Sequence, residues 1–120
     1  LYSPDRLPSL RVNDPVLDRF VAQPFTPPDA AEFERDALRR LVQTGHLVKL
    51  DGLHFATSAI DSAHEVARRL LADNPSGYTA SQFRDALATT RKFAIPLAEA
   101  LDARGITRRR GDVRIAGPRL

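Results

Sequence analysis

Apolar residues follow two different periods along this chain, and the two periods alternate. They first recur every three or four positions, which is typical of one face of an α-helix, and then every second position, as in a strand. This order occurs twice, once over residues 14–57 and once over residues 58–120. The pattern predicts a mainly α-helical protein with small β-hairpins, of the α+β class, built from two tandem units.

The first unit opens with clear helix signals. Asp14 is a favourable N-cap residue, and Pro15 stands at the first helical position. A longer helix is predicted next, from Thr26–Pro28 to Gly45, with its buried stripe at Ala30, Phe33, Ala37, Leu38, Leu41 and Val42. Because the chain is short between residues 28 and 34, this unit is predicted to lack a separate second helix and to be abbreviated.

A hairpin is predicted to close the first unit. Two strands over 47–50 and 53–56 flank Asp51 and Gly52, a dipeptide that favours a tight turn. The register places the apolar residues on one face of the hairpin, at Val48, Leu50, Leu53 and Phe55. Lys49 and His54 take the other face.

The second unit repeats this order. One helix ends near residues 73–75, and a capping box over Thr79–Gln82 opens the next. A third helix carries the stripe Phe93, Leu97, Ala100 and Leu101, which crosses Pro96 without a change of phase. After a stop at Gly105, Ile106–Arg110 and Val113–Ala116 read as two strands joined by Gly111 and Asp112. Helices followed by a hairpin, twice, predict two tandem winged-helix domains.

Three segments are therefore predicted. Residues 1–13 have no sustained period and are expected to be a linker or the end of a preceding domain. Residues 14–57 form an abbreviated winged-helix-like domain, and residues 58–120 form the C-terminal winged-helix domain. Because the chain begins at Leu1 rather than Met, we expect it to be a fragment of a longer protein.

The placement of positive charge indicates a function. Arg91 and Lys92 fall in the first turn of a helix, where the dipole makes cations unfavourable by roughly 0.3–1 kcal/mol each. In the terminal hairpin, Arg109 is predicted to lie opposite Arg114, a like-charge pair that is also unfavourable. A phosphate bound at each place would resolve both conflicts. The alternative is a solvated basic edge that deters pairing with other strands.

Net charge supports a polyanionic partner for the second unit. The whole chain of 120 residues has a formal charge of +3. The last thirty residues alone carry eight Lys and Arg residues and three Asp and Glu residues, a net charge of +5. A basic terminal domain of this kind is typical of proteins that bind nucleic acid.

Other classes of function find little support. There is no cysteine, and His46, His54 and His64 have no metal-ligand spacing, so neither a metal site nor a cofactor site is predicted. No catalytic group is predicted. The chain has no apolar run of about 18 residues, which argues against a membrane location. Absence of cysteine fits a reducing compartment, and a cytoplasmic location is expected.

The terminal segment resembles a known family. Thr-Thr-Arg-Lys-Phe-Ala-Ile-Pro-Leu-Ala-Glu-Ala-Leu-Asp (89–102) leads to Gly-Ile-Thr-Arg-Arg-Arg-Gly-Asp-Val-Arg-Ile (105–115). This is similar to the C-terminal end of the selenocysteine-specific elongation factor SelB family, where S-R-K-Y-A-I-P-L-L-E-Y-x-D leads to G-x-T-R-R-x-G-D-x-R. The match covers 27 residues, 89–115, tightly. Phe93 departs from the commoner Tyr, and Arg110 replaces a residue that is usually apolar.

The resemblance implies an RNA-binding module of a translation factor. In that family the C-terminal winged helices bind a stem-loop in messenger RNA, the selenocysteine insertion element, and an N-terminal GTPase carries selenocysteinyl-tRNA to the ribosome. This chain has no Gly-x-x-x-x-Gly-Lys-Ser/Thr loop, so the GTP site is expected outside it. By position, the resemblance and the charge pattern together assign RNA binding to Arg91, Lys92, Arg108, Arg109, Arg110 and Arg114.

Two other functions stay open at this stage. One is a DNA-binding winged-helix domain of a transcription regulator, for which a less acidic first unit would be expected. The other is a protein-interaction module in which the first unit docks another domain. For RNA, the narrow A-form major groove predicts contacts to the phosphate backbone and to one or two splayed loop bases, without insertion of a helix.

Overall fold

The computed structural model describes residues 14–120, so the expected linker at 1–13 lies outside the described residues. The α-helices are α1 (Pro15–Ala22), α2 (Arg35–Gln43), α3 (Thr57–Asp73), α4 (Ala80–Leu87) and α5 (Arg91–Ala103). The strands are β1 (Leu47–Leu50), β2 (Leu53–Ala56), β3 (Tyr78–Thr79), β4 (Thr107–Arg110) and β5 (Val113–Ala116). A 3-10 turn spans Ala30–Glu32. The α+β class predicted from the sequence is confirmed.

The long helix predicted from residue 26 to residue 45 is wrong in its first half. Asp29 caps the short 3-10 turn by accepting a hydrogen bond from the amide of Ala31 (2.9 Å), and Phe33 then adopts an extended conformation. Its ring packs on that of Phe20, with centroids 5.3 Å apart. The α-helix begins only at Arg35, because docking of Phe33 against α1 interrupts the helical path that its spacing suggested.

The second unit has the predicted helices and one additional strand. The capping box at the start of α4 is present, with Thr79 and Gln82 each bonding the other's backbone amide. Helix α5 begins at Arg91 and passes through Pro96 without interruption. β4 and β5 pair in the predicted register, Arg109 opposite Arg114, and β3 adds to the outer side of β5. The sheet order is therefore β3-β5-β4.

Hydrophobic packing crosses the predicted boundary between the units. The smaller cluster of buried residues lies among α1, α2 and the ends of the β1–β2 hairpin. The larger cluster is built from α3, α4 and α5, and Phe55 of β2 is part of it. Val48, Leu50 and Leu53, from the same face of the hairpin, pack against this larger cluster. The first hairpin thus completes the core of the second unit.

Candidate nucleic-acid interface

The start of α5 presents two cations and an open helix terminus. Arg91 and Lys92 are both exposed in the first turn, which contains no acidic residue. The side chain of the N-cap residue, Thr90, makes no capping hydrogen bond. No carboxylate of residues 14–120 lies within 4 Å of either cation. Unbonded backbone amides and two positive side chains therefore share the first turn of α5, which suits an anion.

Lys92 lies above the ring of the residue that follows it. Its Nζ is 5.4 Å from the centroid of Phe93, a cation–π geometry worth about 0.5–1 kcal/mol at an exposed site. Phe93 in turn packs edge-to-face with Phe55 in the first hairpin. Lys92 and Phe93 also line a cleft of about 260 Å³, together with Pro28 and Leu53 of the first unit.

The β4–β5 hairpin, which we call the wing, carries three exposed arginines. Arg108 and Arg110 share one face because they alternate along β4, and Arg109 lies on the other. The Nε of Arg109 donates to the carbonyl of Gly111 at the turn (3.4 Å). Within residues 14–120 no carboxylate approaches these guanidinium groups to ion-pair distance. Their charges face solvent at the tip and along the first strand.

The predicted pair of repelling cations on the wing, Arg109 and Arg114, is wrong in one member, because Arg114 already has a partner. It is 7% exposed, and its Nε and Nη2 each lie 3.1 Å from Oδ2 of Asp102 in α5. The hydroxyl of Thr107 donates to Oδ1 of the same carboxylate (2.6 Å). The positive charge that we expected a phosphate to neutralise is neutralised by the protein's own Asp102. Arg114 therefore ties the wing to α5, and its guanidinium is not a free cation.

Tyr78 lies on the neighbouring strand, opposite Arg114. Its ring is fully buried and stacks on Phe83, with centroids 5.6 Å apart. Burial raises the pKa of the phenol to about 12; nearby Arg114 acts in the opposite direction, and Asp102 adds to the rise. The phenol is thus neutral at physiological pH and belongs to the support beneath the wing.

The predicted site residues form two separate groups. Asp102, where the wing is tied to α5, lies eleven residues after Arg91, which is roughly 16 Å along an α-helix. Lys92 belongs to the first group, whereas Arg108 begins the second. A ligand that contacts both groups must be extended and carry more than one negative charge.

Sequence reasoning missed Asp102 and Thr107 as supports of the wing. Both sit inside the quoted motif, and a signal was present, since Thr107 alternates with Arg108 and so had to face the core side of the strand. A buried hydroxyl needs a partner, and Asp102 was the nearest preceding carboxylate.

Three further observations concern metal ligands, membrane-spanning helices and the pKa of a histidine. Within residues 14–120, no three His, Asp or Glu side chains are grouped as metal ligands would be. No helix in this part of the chain has the length and apolar character needed to cross a membrane. Burial, and secondarily the charge of Lys49, lowers the pKa of His54 on the first hairpin.

Comparison with known proteins finds a matching family model and matching solved structures. A family model described as "Elongation factor SelB, winged helix" matches residues 69–116, which include α5 and the wing. Among solved structures, the mRNA-binding domain of elongation factor SelB from E. coli in complex with SECIS RNA is 30% identical in sequence. That match has a TM-score of 0.59 and covers 69% of this chain and 69% of the other. No curated protein matches the chain.

Proposed function

The chain belongs to the elongation factor SelB family, and we propose that it binds a stem-loop in messenger RNA through the start of α5 and the wing. Its role is binding rather than catalysis. The observation that carries the proposal is the charge distribution at these two places. Five of the six predicted cations, Arg91, Lys92, Arg108, Arg109 and Arg110, are exposed and lack a carboxylate partner within residues 14–120.

Separation of the two cationic groups fits an RNA backbone. The roughly 16 Å between Arg91 and the base of the wing would be spanned by a few phosphates of one strand, or by phosphates on two sides of a stem. The open amides at the start of α5 add a favourable position for one phosphate. These contacts fix the orientation of the RNA, since phosphates carry no sequence information.

Recognition of the loop requires contacts to bases. The major groove of an A-form RNA stem is deep and narrow, and protein side chains seldom enter it. Splayed loop bases are therefore the accessible source of sequence information. Tyr78 is buried and Phe93 is packed against Phe55, so neither offers a free stacking platform. We assign stacking on such bases to the guanidinium groups of Arg108 and Arg110, which share one exposed face of the wing.

Membership of the family supports a proposal for the remaining partners. We propose that the full-length protein also binds GTP, selenocysteinyl-tRNA and the ribosome through parts outside this chain. We further propose that it acts in the cytoplasm, where messenger RNA is translated. For the RNA-binding step itself, the chemistry described needs no cofactor.

A binding titration at several salt concentrations tests the proposal. The chain is titrated into the E. coli SECIS hairpin and into a DNA duplex with the same stem sequence. We expect tighter binding to the hairpin. Substituting Arg91→Ala or Arg109→Ala should weaken binding and make the negative slope of log K against log salt less steep, by roughly 0.7–0.9 for each lost phosphate contact.

The matched control is Arg40→Ala, which removes an exposed cation from α2 in the first unit. It should leave both the affinity and the salt slope within error of the unsubstituted chain. Tighter binding to the DNA duplex would contradict the assignment to RNA. An equal loss for Arg40→Ala would show that the titration reports overall charge and no particular site.

A further inference from the structure

The two cations at the start of α5 are bracketed by contacts to the first unit. Thr89, two residues before Arg91, donates its hydroxyl to the backbone carbonyl of Phe25 at 2.6 Å. Phe93, two residues after Arg91, packs edge-to-face on Phe55, with ring centroids 6.4 Å apart and planes at 86°. Phe25 precedes the 3-10 turn and Phe55 lies in β2, so both anchors belong to the first unit.

These anchors take the place of a local cap. Helix α1 is capped by Asp14 and helix α4 by a complete capping box, whereas the N-cap residues of α2, α3 and α5 make no side-chain cap. The ends of helices fray most easily. Fraying is favoured further at an uncapped first turn with two adjacent cations, because the helix dipole makes positive charge unfavourable there. The hydrogen bond from Thr89 and the packing of Phe93 hold this turn from outside the helix.

The first unit is itself poorly suited to direct contact with a polyanion. Residues 14–57 carry five Lys and Arg residues and seven Asp and Glu residues, a net charge of −2. Two of its arginines are already paired on the surface, Arg19 with Glu32 at 3.0 Å and Arg39 with Asp36 at 3.5 Å. Its hairpin, in contrast, is firmly attached to the second unit, because Phe55 is fully buried in the larger core.

We propose that the first unit acts as a positioning element for RNA binding, with Thr89 and Phe55 as positioning residues that fix Arg91 and Lys92. This inference rests on the proposed function. Holding the first turn of α5 in its bound conformation removes part of the ordering cost that RNA would otherwise have to offset. The first unit then raises RNA affinity without touching the RNA.

The test compares variants of the full chain in titrations with the SECIS hairpin, at a temperature well below the melting temperature of each. Thr89→Val preserves the shape of the side chain and removes the donor, and Phe55→Leu removes the ring that Phe93 meets. Each should weaken RNA binding by about threefold to tenfold, which corresponds to the net contribution of one hydrogen bond or aromatic contact. Leu38→Ala, in the separate core of the first unit, is the stability control. It should lower the melting temperature and leave affinity unchanged.

A double-mutant cycle separates positioning from a general loss of structure. In a chain that already carries Arg91→Ala and Lys92→Ala, the substitution Thr89→Val should have no further effect on affinity, because no cation remains to be positioned. An equal loss in both backgrounds would overturn the inference, and so would wild-type affinity for Thr89→Val. If Arg91→Ala with Lys92→Ala leaves RNA binding unchanged, the proposed function itself fails. These outcomes are therefore distinguishable.

Discussion

The two hairpins of this protein have the same size and opposite uses. Both consist of two four-residue antiparallel strands around a two-residue turn. The first, β1–β2, places four apolar residues on one face and buries them against the core of the second unit. The wing, β4–β5, places three arginines in solvent. One hairpin connects the two units, and the other is left free to meet a ligand.

The contrast shows how a cationic hairpin can still be held firmly. Its core-facing side cannot rely on a large apolar surface, since the strand sequence is mostly arginine. In its place, Thr107 and Arg114 converge on Asp102 of α5, so that hydrogen bonds and an ion pair supply the attachment. The partners of this network are mutually satisfied, which makes burial of an arginine acceptable.

The largest effect should come from the apolar hairpin. Phe55→Ala removes a fully buried ring at the junction of the two units, and we expect a loss of about 3–5 kcal/mol in the free energy of unfolding. Urea denaturation followed by circular dichroism measures it. Arg108→Ala, on the wing, is the matched control and should change stability by less than about 0.5 kcal/mol. Similar losses for both would mean that the hairpins do not differ as described.

The attachment of the wing gives the next largest effect. Asp102→Leu leaves Arg114 buried without a counter-charge, and the expected loss is about 2–3 kcal/mol, below the 3–5 kcal/mol of a fully buried pair because Asp102 is partly exposed. Adding Arg114→Met should recover most of that stability. In RNA titrations, Arg114→Met should leave the salt slope unchanged, whereas Arg109→Ala should make it less steep. A reduced slope for Arg114→Met would show that Arg114 contacts phosphate after all.

Local signals in the sequence were sufficient for most of the helices and for both hairpins. The capping box at Thr79, the stop at Gly105 and the two tight turns each act over a few residues, so their outcome depends little on the rest of the chain. The exposed cations at the start of α5 followed in the same way from the position of Arg91 in the helix. Their contact with RNA stays a prediction.

Structural features that depend on contacts between distant parts of the chain could not be predicted from local sequence signals. Strand β3 has two residues, too few to show alternation, and it exists because Tyr78 meets Arg114, thirty-six positions away. The helix expected from residue 26 is broken because Phe33 packs on Phe20. Periodicity predicts which face of the strand Arg114 takes, but it does not predict that the carboxylate of Asp102 lies beside it.

The smallest predicted effect concerns the support beneath the wing at high pH. Tyr78 has a pKa raised from 10.0 to about 12, so above pH 10 the unfolded chain loses its phenolic proton before the folded chain does. The contribution of the protonated phenol to the free energy of unfolding is therefore fully present below pH 10 and is lost as the pH rises towards 12. The loss is roughly 1.4 kcal/mol at pH 11. Urea denaturation at pH 9 and pH 11 measures this loss. Tyr78→Phe, which removes the proton, should abolish most of it.

Spectroscopy of the phenol sharpens the same prediction. The sequence contains two tyrosines, so the variant Tyr2→Phe leaves Tyr78 as the sole source of phenolate absorbance. In that variant the absorbance should rise near pH 12, or together with unfolding if that comes first. A rise centred on pH 10 in the folded protein would mean that Tyr78 is reached by water. The strand beside Arg114 would then be far less rigid than the first hairpin, and the ion pair to Asp102 could not be the firm attachment that the contrast between the hairpins requires.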